Sequence, residues 1–414
     1  MAVSTKLPQN AVMDDAQQAQ VRWAALPVRA RLGAIRRFRN LTASSAERFA
    51  EAAGRNAGET LIAEVLPLLE ACRFLEDEAE NILASRKPGS VGRPLWLSGV
   101  DLEIRREPLG MVLVIGPSNY PLLLAAVQVV QALTAGNAVV LKPGRAALPV
   151  CRLLVETLYR SGLDPALLRV TGESTDEVYA AIDSGRIDKV FLTGGEGAGR
   201  AVGKRLAELG IPSVMELSGE DAVFVLPSAD LDRVVKALRF GMQFNGGETC
   251  IAPKHVLAWN DIAGALERRM QAAGIALPLT PVHSTEQAIR EASTSGYALG
   301  AAVFGSERQA MEIASRIRAG VVVINDMIVP TADPRLPFGG RGRSGFGTTR
   351  GAEGLLEMTA VKAVTIRRGR WLPHLDRPAD PGLFGKYIRM AHGGSLADRI
   401  RGLWHSSAGK ESKQ

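Results

Sequence analysis

Hydrophobic positions along this chain change their spacing several times, and each change predicts a different element. Through residues 16–83, Val21, Leu32, Ile35, Phe38 and Leu41 recur near a 3.6-residue period with Arg and Gln between them. A further apolar stripe covers residues 62–75, and Ser44-Ser45-Ala46-Glu47 reads as a helix start. Ahead of these helices, residues 1–15 are polar, lack the apolar centre of a leader peptide and read as a short disordered arm. Residues 94–104 hold two short extended runs around Ser98-Gly99, which predicts a hairpin. So small a hairpin has little core of its own and is expected to pack on something else, such as another subunit.

The pattern then becomes unbroken apolar runs. Residues 111–115 are stopped by Gly116-Pro117, and residues 139–141 by Pro143-Gly144. Residues 168–170 form a third run, and 189–192 a fourth, stopped by Gly194-Gly195; segments of helical length, such as 146–161, lie between. Strands apolar on both faces that alternate with helices predict a parallel sheet covered on both sides, an α/β fold. In such sheets ligands bind beyond the carboxyl ends of the strands. Past Glu216 further α/β elements are expected: strands at 222–225, 255–258, 301–304 and 321–324, and helices at 230–244 and 307–318. Residues 336–347 form a glycine-dense loop.

Composition narrows the picture. With 414 residues, 46% of them hydrophobic and 22% charged, the chain can bury a sizeable core and divide into two or three domains. Its three cysteines, Cys72, Cys151 and Cys250, are far apart and odd in number, which fits a reducing, cytoplasmic setting without disulfides. Five scattered histidines, with no HExxH or CxxC pattern, give no metal site. The most apolar stretch, 120–141, is broken by Gln128, Gln131 and Asn137, so no membrane span is predicted. The net charge of +7 is concentrated at one end: ten Lys/Arg stand against four Asp/Glu from Arg367 onward, leaving +1 for the body. Such a body gives no case for nucleic-acid binding. The basic tail carries Leu383, Phe384, Tyr387 and Ile388, then, after Gly393-Gly394 and a capping Ser395, Leu396, Ile400, Leu403 and Trp404. An apolar face with a basic flank is what peripheral membrane contact needs; a terminal helix packed on the body gives the same pattern.

Candidate chemistry centres on Phe244-Asn245-Gly246-Gly247-Glu248-Thr249-Cys250, where a thiol follows a glycine turn. Glycine permits positive φ and close approach of a substrate. A lone cysteine is more often a small buried hydrophobe, so the rest of the chain has to decide. Asn119 follows the first apolar strand, Lys142 the second and glycines the fourth. Glu216 stands between Met215 and Leu217, where an idle surface carboxylate is uncommon.

Five motifs in order resemble the aldehyde dehydrogenase superfamily over residues 20–368. They are Gly116-Pro117-Ser118-Asn119-Tyr120-Pro121, Gly136-Asn137-Ala138-Val139-Val140-Leu141-Lys142-Pro143, Met215-Glu216-Leu217-Ser218-Gly219, the Cys250 segment, and Pro337-Phe338-Gly339-Gly340 through Gly347. The resemblance implies a doubly wound Rossmann-type cofactor domain (residues 1–90 and 109–217) and a shortened α/β catalytic domain (218–355). It further implies oligomerisation elements (91–108 and 356–370) that pair subunits into a homodimer or larger homo-oligomer, beside the basic tail (371–414). It implies oxidation of an aldehyde to a carboxylic acid, with NAD or NADP taking the hydride. Cys250 would be the nucleophile, Asn119 with the Cys250 amide the oxyanion donors, and Glu216 the base that activates water. Lys142 would hold the adenosine ribose. Gly116, Pro117, Ser118, Thr193, Gly194, Gly195, Gly199 and Leu217 would line the cofactor site, and Phe338 would pack near the nicotinamide.

Three departures qualify that expectation. Only residues 251–279 separate the cysteine motif from Pro281-Val282, many tens fewer than the family carries, so elements that line the substrate tunnel are absent. A wide, shallow tunnel suits a bulky or long apolar aldehyde; a loss of cofactor grip would instead leave a scaffold or a residual thiol esterase. Leu277 replaces the glutamate that grips the nicotinamide ribose in relatives, and leucine cannot accept a hydrogen bond. Arg145 stands where relatives often carry an acid, and Gly195 where they carry a phosphate-contacting serine. Arginine can pair with a 2′-phosphate, so no strong preference for NAD over NADP is expected.

Overall fold

The computed structural model describes residues 9–368, 370, 372, 375 and 381–404. The described residues form two compact units, one within 9–85 and 105–362 and one within 86–104 and 363–404.

In the first unit a helix runs Gln9–Ala24, where the sequence suggested an arm up to residue 15. Met13, Ala16, Ala19 and Trp23 fall on one buried face, and the Trp23 indole donates to the Leu133 carbonyl at 2.8 Å, so tertiary burial overrides the polar composition. Residues 1–8 of the expected arm lie outside the described residues. The apolar stripe at 62–75 belongs to a longer run: a helical turn Ala57–Thr60, a π-turn Leu61–Val65 and the helix Leu66–Ile82.

The strands are β1 (Val100–Pro108), β2 (Met111–Ile115), β3 (Ala138–Lys142), β4 (Leu168–Val170), β5 (Lys189–Thr193), β6 (Ser213–Glu216), β7 (Asp221–Val225), β8 (Pro253–Trp259), β9 (Leu279–Val282), β10 (Tyr297–Ala298), β11 (Gly300–Phe304), β12 (Val321–Ile324), β13 (Arg341–Gly342), β14 (Gly345–Phe346) and β15 (Thr359–Arg367). One sheet has the order β14-β6-β5-β2-β3-β4, parallel except for β14, which runs antiparallel to β6. Successive strands are added on one side of β2 as far as β4 and on its other side from β5, so the loops after β2 and β5 part and leave a crevice at their carboxyl ends. A second, wholly parallel sheet has the order β12-β11-β7-β8-β9. Phe191 is fully buried in the core of the first sheet, and Phe224 and Phe304 are buried against the second.

The hairpin expected at residues 94–104 is absent. Leu95–Leu97 is a single 3-10 turn, and β1 pairs instead with β15 from the far end of the chain. Within the second unit the ribbon is tied down by a two-way backbone bridge between Arg86 and Ile104 and by Arg368 Nε donating to Asp101 at 2.6 Å. That unit also holds the helices Pro381–His392 and Leu396–Trp404, the latter capped by Ser395 Oγ, which accepts from the Asp398 amide at 3.0 Å. Ile388, Leu396 and Ile400 are exposed; the side chains of Leu383, Leu403 and Trp404 lie outside the described residues. Among the described residues no helix is long and apolar enough to cross a membrane.

Candidate active site

The backbone around Cys250 is built from left-handed residues. Asn245, Gly246 and Gly247 have φ of 52°, 63° and 75°, and a Cβ on Gly247 would lie 2.7 Å from the Met242 carbonyl oxygen. Asn245, not a glycine, holds this conformation because its surroundings fix it. Its amide donates to Glu59 Oε2 at 3.1 Å, its Oδ1 accepts from Arg55 at 2.9 Å, and its Nδ2 donates to the Asn119 carbonyl at 2.9 Å. Arg55 also pairs with Glu248 at 2.6 Å and reaches the Ser118 carbonyl at 3.2 Å. Tyr120 and Thr249 share a hydroxyl bond at 2.7 Å. The loop after β2 and the cysteine loop are thus joined side by side. Sequence reasoning passed over Arg55 and Glu59, which lie almost two hundred residues from the loop they hold.

Glu216 ends β6 and is 2% exposed. The glycine-dense loop closes over it: Gly345 pairs with Glu216 across β14, the Ser344 carbonyl accepts from the Leu217 amide at 3.0 Å, and a Cβ on Gly345 would sit 1.9 Å from the Met215 oxygen. Thr349 Oγ1 donates to Glu216 Oε2 at 3.0 Å, while Oε1 is buried with no hydrogen-bond partner. Burial pushes the Glu216 carboxyl above the ordinary range, with Arg350 and the Thr349 bond opposing. The Cys250 thiol is raised too, first by burial and then by the charges of Glu216 and Asp221. Asp221, buried behind it, is itself raised to about 7 by desolvation. At neutral pH Cys250 is therefore a thiol that needs a base.

Two cavities meet at this pair. A polar one of about 290 Å³ is lined by Pro117, Ser118, Asn119, Thr193, Gly194, Gly195, Leu217, Lys254, Glu216 and Cys250. A mainly apolar one of about 100 Å³ is lined by Ile62, Tyr120, Leu123, Phe244, Val329, Phe338, Arg350, Glu216 and Cys250. Leu124 and Thr249 also belong to both walls. Ile62 and Val329 line the apolar chamber yet are 65% and 54% exposed, which marks its mouth between the π-turn Leu61–Val65 and the 3-10 turn Val329–Ala332.

The remaining expected residues fall in several places. Asn119 stands on the polar wall, with Nδ2 donating to the Glu248 carbonyl at 2.8 Å, which leaves its second amide hydrogen for a ligand. Gly194 and Gly195 open the helix Glu196–Leu209, whose N-terminus has no side-chain cap. Its first residue, Glu196, is held by Arg343, Tyr297 and Arg200 and is pushed down to about 2 by those bonds. Gly116 and Gly199 line neither cavity; a Cβ on Gly199 would lie 2.6 Å from Leu217, so that glycine serves helix packing. Phe338 lines the apolar chamber, not the polar cavity. Leu277 packs against the core of the second sheet and reaches neither cavity. Lys142 closes β3 with its ammonium lowered by burial, opposed by Glu173 and Glu177. Glu173, which sequence reasoning missed, accepts from the Ala146 and Leu148 amides at 3.0 Å each, beside the exposed Arg145.

Glu64 was missed as well. It sits in the π-turn, and its Oε2 accepts from the amides of Leu122 (2.7 Å) and Leu123 (3.0 Å), capping the helix Leu123–Ala135 behind the Asn119 loop. Burial raises its carboxyl from 4.5 to about 7. A folded-state value above the unfolded one means stability is full below about pH 4.5 and is lost as pH rises through about 7. Glu64→Gln is expected to lose that slope, so its stability relative to the parent should rise by about 1–3 kcal/mol between pH 4.5 and 8. Urea unfolding at the two pH values measures it.

Comparison with known proteins bears on the family and the fold. The model of the aldehyde dehydrogenase family matches residues 2–279 and 274–364, breaking where the sequence is short. The 4,4′-diapolycopene aldehyde oxidase of Methylomonas sp is 27% identical over 86% of this chain and 82% of its own length. That alignment spans 441 positions, more than this chain possesses, so the relative carries segments absent here. A putative succinate-semialdehyde dehydrogenase [NADP(+)] of Mycobacterium ulcerans (strain Agy99) is 28% identical over 88% of this chain and 86% of its own. Among solved structures, a Mycobacterium tuberculosis aldehyde dehydrogenase complexed with NAD+ superposes with a TM-score of 0.80 at 22% identity, covering 87% of this chain and 90% of that one.

Proposed function

This chain belongs to the aldehyde dehydrogenase family, and we propose that it oxidises an apolar, extended aldehyde to the carboxylic acid through Cys250. The observation that carries the reading is the junction of an apolar chamber and a polar crevice at one thiol and one buried carboxylate. An aldehyde head entering past Ile62 and Val329 meets Cys250, and a long tail can remain in the mouth. The thiol adds to the carbonyl carbon, its proton passing to Glu216 Oε1, the unpartnered oxygen. The new alkoxide is met by the free Asn119 amide hydrogen and the Cys250 backbone N–H.

The polar crevice fits a dinucleotide: an uncapped helix N-terminus with open space at Gly195 suits a pyrophosphate. NAD or NADP, when bound, accepts the hydride. What stays on the chain is a Cys250 thioester. Glu216, having passed the thiol's proton to solvent, takes a proton from water as the hydroxide attacks the acyl carbon, and returns that proton to the sulfur as the acid leaves and the thiol reforms.

Lys142 and Glu173 would meet the adenosine ribose, with Arg145 beside them. Arg145→Ala should weaken NADP binding about tenfold while leaving NAD nearly unchanged, as loss of one charge-assisted contact requires; calorimetric titration with each cofactor decides it. The assembled form is taken to be a homodimer or larger homo-oligomer, readable by light scattering, and the basic tail helices are taken to touch anionic membranes, readable by vesicle sedimentation. The test of function is production of reduced cofactor with a panel of short, aromatic and long-chain aldehydes. Long-chain aldehydes should give the highest kcat/KM. Preference for short, polar aldehydes would refute the substrate class, and undetectable cofactor binding would refute the enzyme reading.

A further inference from the structure

We propose that Arg350 is the positioning residue for the base: a half-buried guanidinium with no carboxylate bonded to it, which opposes the protonation of Glu216 beside Cys250 without occupying its free oxygen. The inference rests on the reading of Glu216 as the base and extends it to a residue outside every motif above.

Arg350 precedes the helix Gly351–Glu357 in a conformation foreign to arginine, with φ 60° and ψ 173°. Such a backbone is strained and persists only where its surroundings fix it. Here the guanidinium Nη1 donates to the Thr331 carbonyl at 2.8 Å, and its carbon lies 4.3 Å from the centre of the Phe338 ring. Phe338 and Thr349 exchange two backbone bonds of 2.7 Å, and Thr349 Oγ1 holds Glu216 Oε2. Phe338, Thr349 and Arg350 therefore form one braced unit against the carboxylate.

Two atoms in this unit are unsatisfied. Arg350 Nε and Glu216 Oε1 are both buried without a hydrogen-bond partner, and both residues line the chamber that holds Cys250. A buried carboxylate in apolar surroundings tends to take up a proton and lose its use as a base. A guanidinium does not release its own, so it supplies a fixed positive charge. A direct Arg–Glu bond would occupy Oε1 and hold the carboxylate too acidic to take protons; a cation at one remove leaves Oε1 open. The other charged groups facing the carboxylate are few. Cys250 shares the chamber, Lys254 and Glu248 line the polar cavity with Glu248 paired to Arg55, and Asp221 is buried behind Cys250. Of these, Arg350 is the cation that opposes the burial of Glu216.

The test is an infrared titration of the full-length protein. The carboxyl stretch of protonated Glu216, assigned by its absence in Glu216→Gln, is followed in the parent, Arg350→Gln, Arg350→Met and Arg350→Lys. Neutral variants should titrate about one pH unit or more higher than the parent, with Lys restoring most of the difference. This reading needs no turnover, so it stands or falls apart from the aldehyde reaction. In active protein the acid limb of kcat should move alkaline by the same amount while KM is nearly unchanged. An unmoved Glu216 titration in a folded neutral variant overturns the proposal. So does a variant that raises KM only for aldehydes bearing a carboxylate, since Arg350 would then be a substrate anchor.

Discussion

Replacing Cys250 with alanine is expected to lower aldehyde oxidation roughly 10⁴-fold or more, because the substitution removes the atom that carries the acyl group and leaves no other thiol in the chamber. Cys72 and Cys151 cannot substitute for it. Both are buried in the first core, and burial raises Cys151 to about 12 and Cys72 further. Cofactor binding and the unfolding midpoint should change little, since alanine fills the same turn. The pH dependence of the parent follows from the same site. Burial and the neighbouring carboxylates raise the Cys250 thiol, so inactivation by iodoacetamide should accelerate into the alkaline range and show no acidic thiolate. Iodoacetamide kinetics at a series of pH values, with Cys250→Ala as the control for the other two thiols, measure this directly.

The second large effect is expected in Glu216→Gln. An amide cannot take the proton of the attacking water, so steady-state turnover should fall by about 10²–10⁴-fold. The hydride step precedes that loss. Rapid mixing should therefore show a burst of reduced cofactor approaching one equivalent per active site, followed by near-silence. The outcome separates the two roles assigned to Glu216. If the thiol also depends on Glu216 for deprotonation, the burst slows at neutral pH and recovers as pH rises, because the thiol then ionises unaided. If burst and steady state are both unchanged, Glu216 is not the base.

How much of this was readable in the residues differs from element to element. β2, β3 and β5 are unbroken apolar runs ended by Pro or Gly, and their burial on both faces follows from that pattern. Cys250, Asn119 and Glu216 each sit at a motif that sequence can recognise, and the structure brings all three to one crevice. The hairpin at 94–104 failed because a strand's partner is not written in its own neighbourhood; β1 pairs with a strand some 260 residues away. The first turns of the N-terminal helix, residues 9–15, were hidden by their polar composition, since Met13 matters only once the first core is there to bury it. Arg55, Glu59, Glu64 and Arg350 left no signal for a related reason. Each is an ordinary charged residue in a helix or loop, and only the tertiary arrangement makes Arg55 a bridge between loops or Arg350 a cation beside a buried base. Arg145 is the converse: a visible departure whose exposed position leaves its meaning to the choice of cofactor.

The central claim is that the Cys250 sulfur bonds the aldehyde carbon and carries it as an acyl group. Glu216→Gln, incubated with a long-chain aldehyde and NAD or NADP, should gain the mass of that aldehyde less two hydrogens, on the peptide containing Cys250. Finding that protein unmodified while reduced cofactor accumulates, or finding the acyl group on any other residue, would contradict it.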